Sequence, residues 1–152
     1  MKKLFAIVLT FALLMSLSVT AFAANTTGGE ADITTSIAPT YTVTIPADVN
    51  VAFNATETAF GTIEVTAAQI HPNKCIKVAL ATDNELNNAI DNTKVIPYAI
   101  KDSTGATFTS ATYLTEGDKT ELSIHITADD WNAAYAGDYS DTVTFTVSYE
   151  DK

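Results

Sequence analysis

The sequence predicts an all-β domain, an immunoglobulin-like two-sheet β-sandwich of about seven to nine strands with one short helical turn. Threonine makes up about a sixth of the residues, and with valine, isoleucine, tyrosine and phenylalanine it supplies side chains that suit a pleated, half-buried surface. Apolar and polar residues alternate in several segments, and turn-forming residues separate these segments. Strands with one apolar face pack as two sheets, and a closed barrel is the competing arrangement.

Residues 1–23 have the pattern of a secretory signal peptide. Lys2 and Lys3 precede an uncharged apolar segment, residues 4–17, and Ala21-Phe22-Ala23 forms a small-x-small cleavage site. The apolar segment is shorter than the roughly 20 residues that a membrane-spanning helix needs, and no second apolar stretch follows it. We therefore expect a secreted, extracellular or cell-surface protein with no transmembrane segment after signal cleavage.

The rest of the chain divides into a short leader and a single domain. Residues 24–30, ANTTGGE, are small and polar and predict a flexible leader. Residues 31–152 have the length of one domain, long enough to bury a core without disulfides or a structural metal. Pro39 separates a strand-like segment at residues 31–37 from the next strand, which makes this segment a candidate free N-terminal strand.

The predicted strands are segments in which every second residue is apolar, so that one face is buried and the other is solvated. In chain order they are residues 33–37, 41–45, 49–53, 62–66, 76–80, 122–126 and 143–149. Proline, glycine, asparagine and aspartate predict the turns between them at residues 38–39, 46–48, 71–73, 83–92, 102–105 and 116–118.

One helical turn is predicted over residues 128–135. Thr127 is its predicted N-cap, and two aspartates follow in the first turn. Trp131 and Tyr135 are four residues apart, so they share one face and are predicted to plug an end of the sandwich. Tyr139 follows a Gly-Asp pair and is similar to the corner tyrosine of immunoglobulin-like sandwiches, whose hydroxyl bonds nearby backbone.

The charge of the chain argues against nucleic acid as a partner. The chain has no arginine and a formal net charge of −10, which becomes −12 when the predicted signal peptide takes Lys2 and Lys3 with it. Such a chain cannot neutralise a phosphate backbone, and anionic membrane surfaces are disfavoured for the same reason.

The single cysteine, Cys75, cannot form an intramolecular disulfide. Ile76, Val78 and Leu80 share one face of the predicted strand, which places Cys75 with Lys77 on the opposite, more exposed face. Cys75 is therefore a candidate intermolecular thiol, and a partly covered, unreactive thiol is the alternative.

No group of residues has the pattern of a catalytic, cofactor-binding or metal site. His71 lies in a predicted turn and His125 on the polar face of a predicted strand, and neither has a partner nearby in sequence. The chain has neither a Gly-x-Ser-x-Gly nor a Ser-x-x-Lys motif, and the acidic loop at residues 83–92 lacks the order of a calcium loop. We therefore expect no enzyme activity and no cofactor.

Several aromatic residues are candidates for an exposed binding face. Packing in the core or at corners is the alternative interpretation, and it is the commoner one for aromatic side chains in a sandwich. The candidates are Tyr41, Phe60, Tyr98, Phe108, Tyr113 and Tyr149.

The C-terminal stretch, residues 131–149, resembles the closing strand of pilin-like and spore-coat-U-like bacterial surface sandwiches, which end on Gly-x-Tyr, an alternating strand and a tyrosine. Residues 60–63, Phe-Gly-Thr-Ile, fit the same families. The tail is also similar to WxL cell-wall-binding domains, although Phe145-Thr146-Val147 replaces the tryptophan and leucine that name them.

The resemblance implies a non-enzymatic surface subunit. In pilin-like families a strand donated by one subunit completes the next, which makes alternate residues of the N-terminal segment a candidate donor: Ala31, Ile33, Thr35 and Ile37. We expect a structural or adhesive component of the bacterial cell surface or extracellular matrix that associates with itself or with other surface proteins. The alternative is a monomeric module that binds cell-wall polymer or glycan.

Overall fold

A computed structural model describes the chain at residues 9–10 and 30–152. The predicted signal peptide and nearly all of the predicted leader lie outside the described residues, apart from the backbone of Leu9–Thr10. The described residues form strands and one short helix: β1 (Leu9–Thr10), β2 (Thr40–Thr44), β3 (Glu57–Gln69), β4 (Lys74–Ala81), β5 (Glu85–Asn88), β6 (Val95–Pro97), β7 (Ala99–Asp102), β8 (Ser110–Tyr113), β9 (Lys119–His125), α1 (Ala128–Ala133), β10 (Tyr139–Ser140) and β11 (Thr144–Asp151).

The strands pair antiparallel in three sheets. The largest has the order β1-β2-β3-β9-β7, and the two smaller ones have the orders β10-β5-β6 and β11-β4-β8. β4 is the central strand of its sheet, between β11 and β8, whereas β11 pairs along its whole length with β4 alone. Within the described residues β11 is therefore an edge strand.

The core lies between the five-stranded sheet and the two smaller sheets. Ile63 and Val65 of β3 are completely buried, and so are Ile76 and Val78 of β4 on the opposite side. Ile96 of β6 extends this layer into the third sheet. Burial of these alternate residues supplies the main driving force for folding. The prediction of an all-β sandwich is confirmed, with three hydrogen-bonded sheets in place of the expected two.

One long side of the sandwich is joined by backbone hydrogen bonds. The segment that leaves β7 crosses to the other sheet just before β8. Phe108 N–H donates to the Ile100 carbonyl of β7 at 2.8 Å, and Leu80 N–H of β4 donates to the Thr109 carbonyl at 2.8 Å. These bonds link the two layers directly, so this side is nearly closed.

The opposite long side has no such backbone link among residues 30–152, and side chains span the gap. The rings of Tyr41 and Tyr149 stack with centroids 5.7 Å apart, and those of Phe60 and Phe145 lie 6.0 Å apart. We call this side, between residues 40–60 and β10–β11, the open seam. Because it lacks a backbone ladder, the sandwich does not close into a barrel.

Two predicted strands are not strands in the structure. Residues 49–53 form an irregular segment outside the strands. Pro46, which has no N–H to donate to the β2–β3 ladder, packs against Gly61 at a bulge in β3, and β2 ends just before it. Residues 33–37 are exposed and belong to no strand pair among the described residues. The structure also has short strands that were not predicted, including β5 within the amide-rich stretch expected to be a loop.

Candidate functional site

A groove of about 660 Å³ lies in the open seam among the described residues. Its walls are the irregular segment after β2 on one side and β10–β11 on the other, and its floor reaches the buried side chains of Ile96 and Ile124. The lining is mixed: apolar and aromatic side chains such as Ile45, Phe60 and Phe145 alternate with polar ones such as Asp48 and Asp138.

Asp141 is the carboxylate best placed inside this groove, but its oxygens already have partners. Thr82 Oγ1 donates to Asp141 Oδ2 at 3.1 Å, the Tyr98 hydroxyl donates to the same oxygen, and the Thr142 N–H donates to Oδ1 at 2.6 Å. Burial first, and then the bond to Asp141, raise the pKa of Tyr98. Asp141 therefore ties the ends of β4 and β6 to the segment before β11.

The four candidate donor residues lie together on the exposed N-terminal segment. Ile33 is fully exposed and Ile37 is 64 % exposed, and residues 30–39 pair with no strand in the part of the chain that the structure describes. Both isoleucines lie at alternate positions with Ala31 and Thr35, which would share one face if the segment became a strand. The structure therefore presents an alternating apolar segment to solvent next to β2.

The three predicted corner residues lie at one end of the sandwich. Trp131 is half-buried against the core, and its Nε1–H donates to the Ala55 carbonyl at 2.9 Å. The Tyr139 hydroxyl donates to the Tyr135 carbonyl at 3.0 Å and accepts from the Tyr135 N–H at 3.1 Å. Tyr135 itself is 63 % exposed because α1 ends at Ala133, so its ring does not plug the sandwich as expected.

The aromatic candidates divide into core and surface residues. Tyr98, Phe108 and Tyr113 are buried in the core, whereas the other three are half-buried at the open seam, and Tyr41 and Phe60 pack against the core there. Phe53 was assigned to a predicted strand and not counted as a binding residue, yet it is exposed and packs edge-on against Trp131 at 5.6 Å. We call Phe53, Trp131 and Tyr135 the aromatic tip.

Cys75 is buried, so the predicted exposed thiol is wrong. Cys75 is 4 % exposed, and its Sγ lies 3.8 Å from the Asp151 carbonyl oxygen at the C-terminal end of β11. The alternation rule assumes that the second face of a strand is solvated, and that face is covered at this position. A disulfide to a second chain would require the C-terminal end of β11 to move away.

A serine, a histidine and a glutamate meet on the outer face of the five-stranded sheet. Ser123 Oγ lies 2.9 Å from His125 Nε2, and Glu57 Oε1 lies 3.8 Å from the same nitrogen. A nucleophile–base–acid relay needs the acid on the other ring nitrogen, where it holds the tautomer. The arrangement is therefore a hydrogen-bonded cluster on the outer face of the sheet.

Three further observations concern ligands, membranes and relatives. Over the part of the chain that the structure describes, no group of three or more histidine, cysteine, aspartate or glutamate side chains is arranged to hold a metal ion. None of the helices in that same part is long and apolar enough to cross a membrane. No protein-family model matches the chain, and no curated protein is significantly similar to it.

Proposed function

We propose that this protein is a secreted, non-enzymatic structural or adhesive component of the bacterial cell surface or extracellular matrix, and that it assembles by strand donation. The observation that carries the proposal is the solvent-exposed, unpaired segment at residues 31–37, with Ile33 fully exposed. An extended segment of alternating apolar residues gains main-chain hydrogen bonds and apolar contacts when it adds to a sheet edge.

The oligomeric state of the chain from Ala24, measured by size-exclusion chromatography with light scattering and by negative-stain microscopy, tests the proposal. The test variant is Ile33→Asp with Ile37→Asp, and the matched control is Thr34→Asp with Ser36→Asp. Both variants add two charges to the same exposed segment, but only the first replaces its two isoleucines. We expect concentration-dependent oligomers or filaments for the parent and the control, and monomers for the test variant.

A chain that is monomeric at every concentration contradicts self-assembly. Equal loss of assembly in both aspartate variants also contradicts strand donation, because it indicates a charge effect and not the loss of two apolar side chains. Addition and removal of calcium in the same experiment shows whether assembly depends on this cation.

The aromatic tip favours a second function, that of a monomeric module that binds cell-wall polymer or glycan. Phe53 and Tyr135 are exposed at the same end of the sandwich as Trp131, and aromatic faces stack on apolar ligand faces. Pull-down with insoluble cell-wall polymer, comparing the parent with Phe53→Ala and Tyr135→Ala, tests this function. Leu114→Ala, which removes an exposed apolar side chain outside the tip, is the control.

A further inference from the structure

We infer that the groove in the open seam binds an oligosaccharide with free amino groups, in which aromatic rings hold the faces of the sugars and carboxylates hold the ammonium groups. This inference rests on the second proposed function, the binding of glycan, and names both the class of glycan and the surface that holds it. Two features of the groove carry it: carboxylates without a basic partner on both walls, and aromatic rings along the same walls.

The groove has negative charge that no basic side chain within it offsets. Asp48 lies on the irregular segment after β2, and Asp138 lies just before β10 on the opposite wall. Both residues are exposed, and the ion pairs among residues 30–152 involve other carboxylates. None of the lysines and histidines in residues 30–152 lines the groove. A cleft with charge of one sign and apolar walls concentrates ions of the opposite sign, so the groove attracts a cationic ligand.

The arrangement of the carboxylates fits an organic ammonium group better than a bare metal ion. Calcium and magnesium need several oxygen ligands that converge at about 2.0–2.6 Å. Within the described residues, no group of three or more histidine, cysteine, aspartate or glutamate side chains is arranged in this way. Aromatic rings lie beside the carboxylates instead, among them Trp131 and Tyr139. Ring faces attract ammonium groups, which adds to the attraction of the carboxylates.

The mixed lining favours a sugar over a cationic peptide. One face of a sugar ring is apolar and stacks on aromatic rings, and its hydroxyls donate to oxygen acceptors. The groove provides both kinds of partner, because Phe60 and Trp131 line it together with Asn50 and Ser140. A lysine side chain would use one carboxylate and leave the other polar groups of the walls without a partner.

The size and position of the groove suit a short oligosaccharide. Its volume of about 660 Å³ lies within the range of about 300–1,000 Å³ that is typical of small-molecule sites. Phe53 also lines the groove, is 76 % exposed and packs edge-on against Trp131 at 5.6 Å. The aromatic surface therefore continues from the groove to the aromatic tip, along which further sugars of a longer chain can lie.

Titration of the chain from Ala24 with three soluble probes tests the inference. The glucosamine tetramer has free amino groups, the N-acetylglucosamine tetramer has the same sugar backbone without charge, and tetralysine has charge without sugar. Isothermal titration calorimetry measures the affinities, and the fluorescence of Trp131, the single tryptophan, reports occupancy of the groove that it lines. We expect the glucosamine tetramer to bind at least several-fold more tightly than the other two probes, and its binding to weaken as salt is added.

Two double variants show whether the groove is the site. The test variant is Asp48→Asn with Asp138→Asn, and the matched control is Glu30→Gln with Asp32→Asn. Each removes two negative charges from exposed positions, but only the first removes them from the groove. We expect the test variant to bind the glucosamine tetramer about tenfold more weakly than the parent, which is the effect of losing two exposed ion pairs. The control should bind like the parent.

Each alternative has its own outcome. Equal binding of the two sugar tetramers overturns the recognition of amino groups but leaves glycan binding intact. Tetralysine that binds as tightly as the glucosamine tetramer overturns the sugar as ligand and identifies a site for cationic peptides. Equal losses in the two double variants overturn the groove as the site, because they indicate an effect of net charge. Absence of binding for all three probes overturns the inference, and the pull-down with insoluble cell-wall polymer then decides glycan binding separately.

Discussion

Gly137 and Asn88 are in close contact where the segment after α1 approaches β5. The φ angle of Gly137 is +146°, a backbone conformation that residues other than glycine rarely adopt. A Cβ atom added at this position would lie 2.6 Å from Asn88 Nδ2. Asn88 is buried, and its Oδ1 accepts the N–H of Ile90 at 2.9 Å and of Asp91 at 3.2 Å. The amide cannot move without giving up these bonds, so position 137 requires glycine.

We expect Gly137→Ala to lower the free energy of unfolding by about 2–4 kcal/mol, because backbone strain and overpacking against Asn88 add together. Gly105→Ala is the matched control: Gly105 also has positive φ, but a Cβ added there would have no other atom within 4 Å. We expect Gly105→Ala to lower the free energy of unfolding by about 1 kcal/mol, because only the backbone conformation becomes strained. Urea unfolding monitored by Trp131 fluorescence measures both, and equal losses would contradict the role of Asn88.

At the scale of single elements, the sequence predicts strands well where one face is apolar and the other is solvated. β2, β4, β9 and β11 overlap their predicted segments, because period-two alternation reports burial of a single face. The pattern also alternates at residues 49–53, which form no strand, because alternation does not show whether a neighbouring strand lies within pairing distance.

Short strands were not predicted because their sequences lack an alternating apolar pattern. β5 reads Glu-Leu-Asn-Asn and has almost no apolar signal, and its place in the sheet depends on pairing with β6 and β10. Non-local pairing of this kind is set by tertiary packing and not by propensity. For the same reason the candidate site was predicted only in part: the donor segment follows from local pattern, whereas the open seam arises from residues far apart in the chain.

The helix α1 depends on its N-cap. Thr127 has extended backbone, and its Oγ1 accepts the Asp130 N–H at 3.1 Å, as the sequence predicts. We expect Thr127→Ala to destabilise the fold by about 1 kcal/mol, because the first turn loses the acceptor for its orphan N–H, and Thr127→Ser to be nearly neutral. Thermal unfolding measures the two variants, and equal effects would show that the methyl group and not the hydroxyl matters.

At the scale of the whole molecule, three turns depend on aspartates that accept hydrogen bonds. Bonds from Thr93 lower the pKa of Asp91, bonds from Thr104 lower that of Asp102, and the backbone N–H groups of Leu114 and Thr115 lower that of Asp118. The carboxylate form is favoured in the folded chain relative to the unfolded chain. Their contribution to stability is therefore fully present above the unfolded pKa of about 4 and is lost as the pH falls through the folded values.

We expect the urea midpoint to fall as the pH is lowered below about 4, and Asp118→Asn to reduce the steepness of this fall. Asparagine retains one acceptor oxygen but does not titrate, so the pH-dependent part of the Asp118 contribution disappears. Glu116→Gln is the control, since it removes a charge from the same turn without removing an acceptor of the Leu114 and Thr115 bonds. An unchanged slope for Asp118→Asn would contradict the assignment.

The two long sides of the sandwich differ in mechanical terms. The segment at residues 107–109 fastens the layers with directional backbone bonds, which resist separation until they break. The open seam is held by aromatic contacts, such as the pair Phe60 and Phe145, which lack the directionality of hydrogen bonds, so that the rings can slide past one another and lose their attraction once they part. The side at residues 107–109 is therefore stiffer than the open seam. We expect a pulling force or a thermal fluctuation to separate the two layers first at the open seam, beside β11, while the backbone bonds at residues 107–109 stay intact.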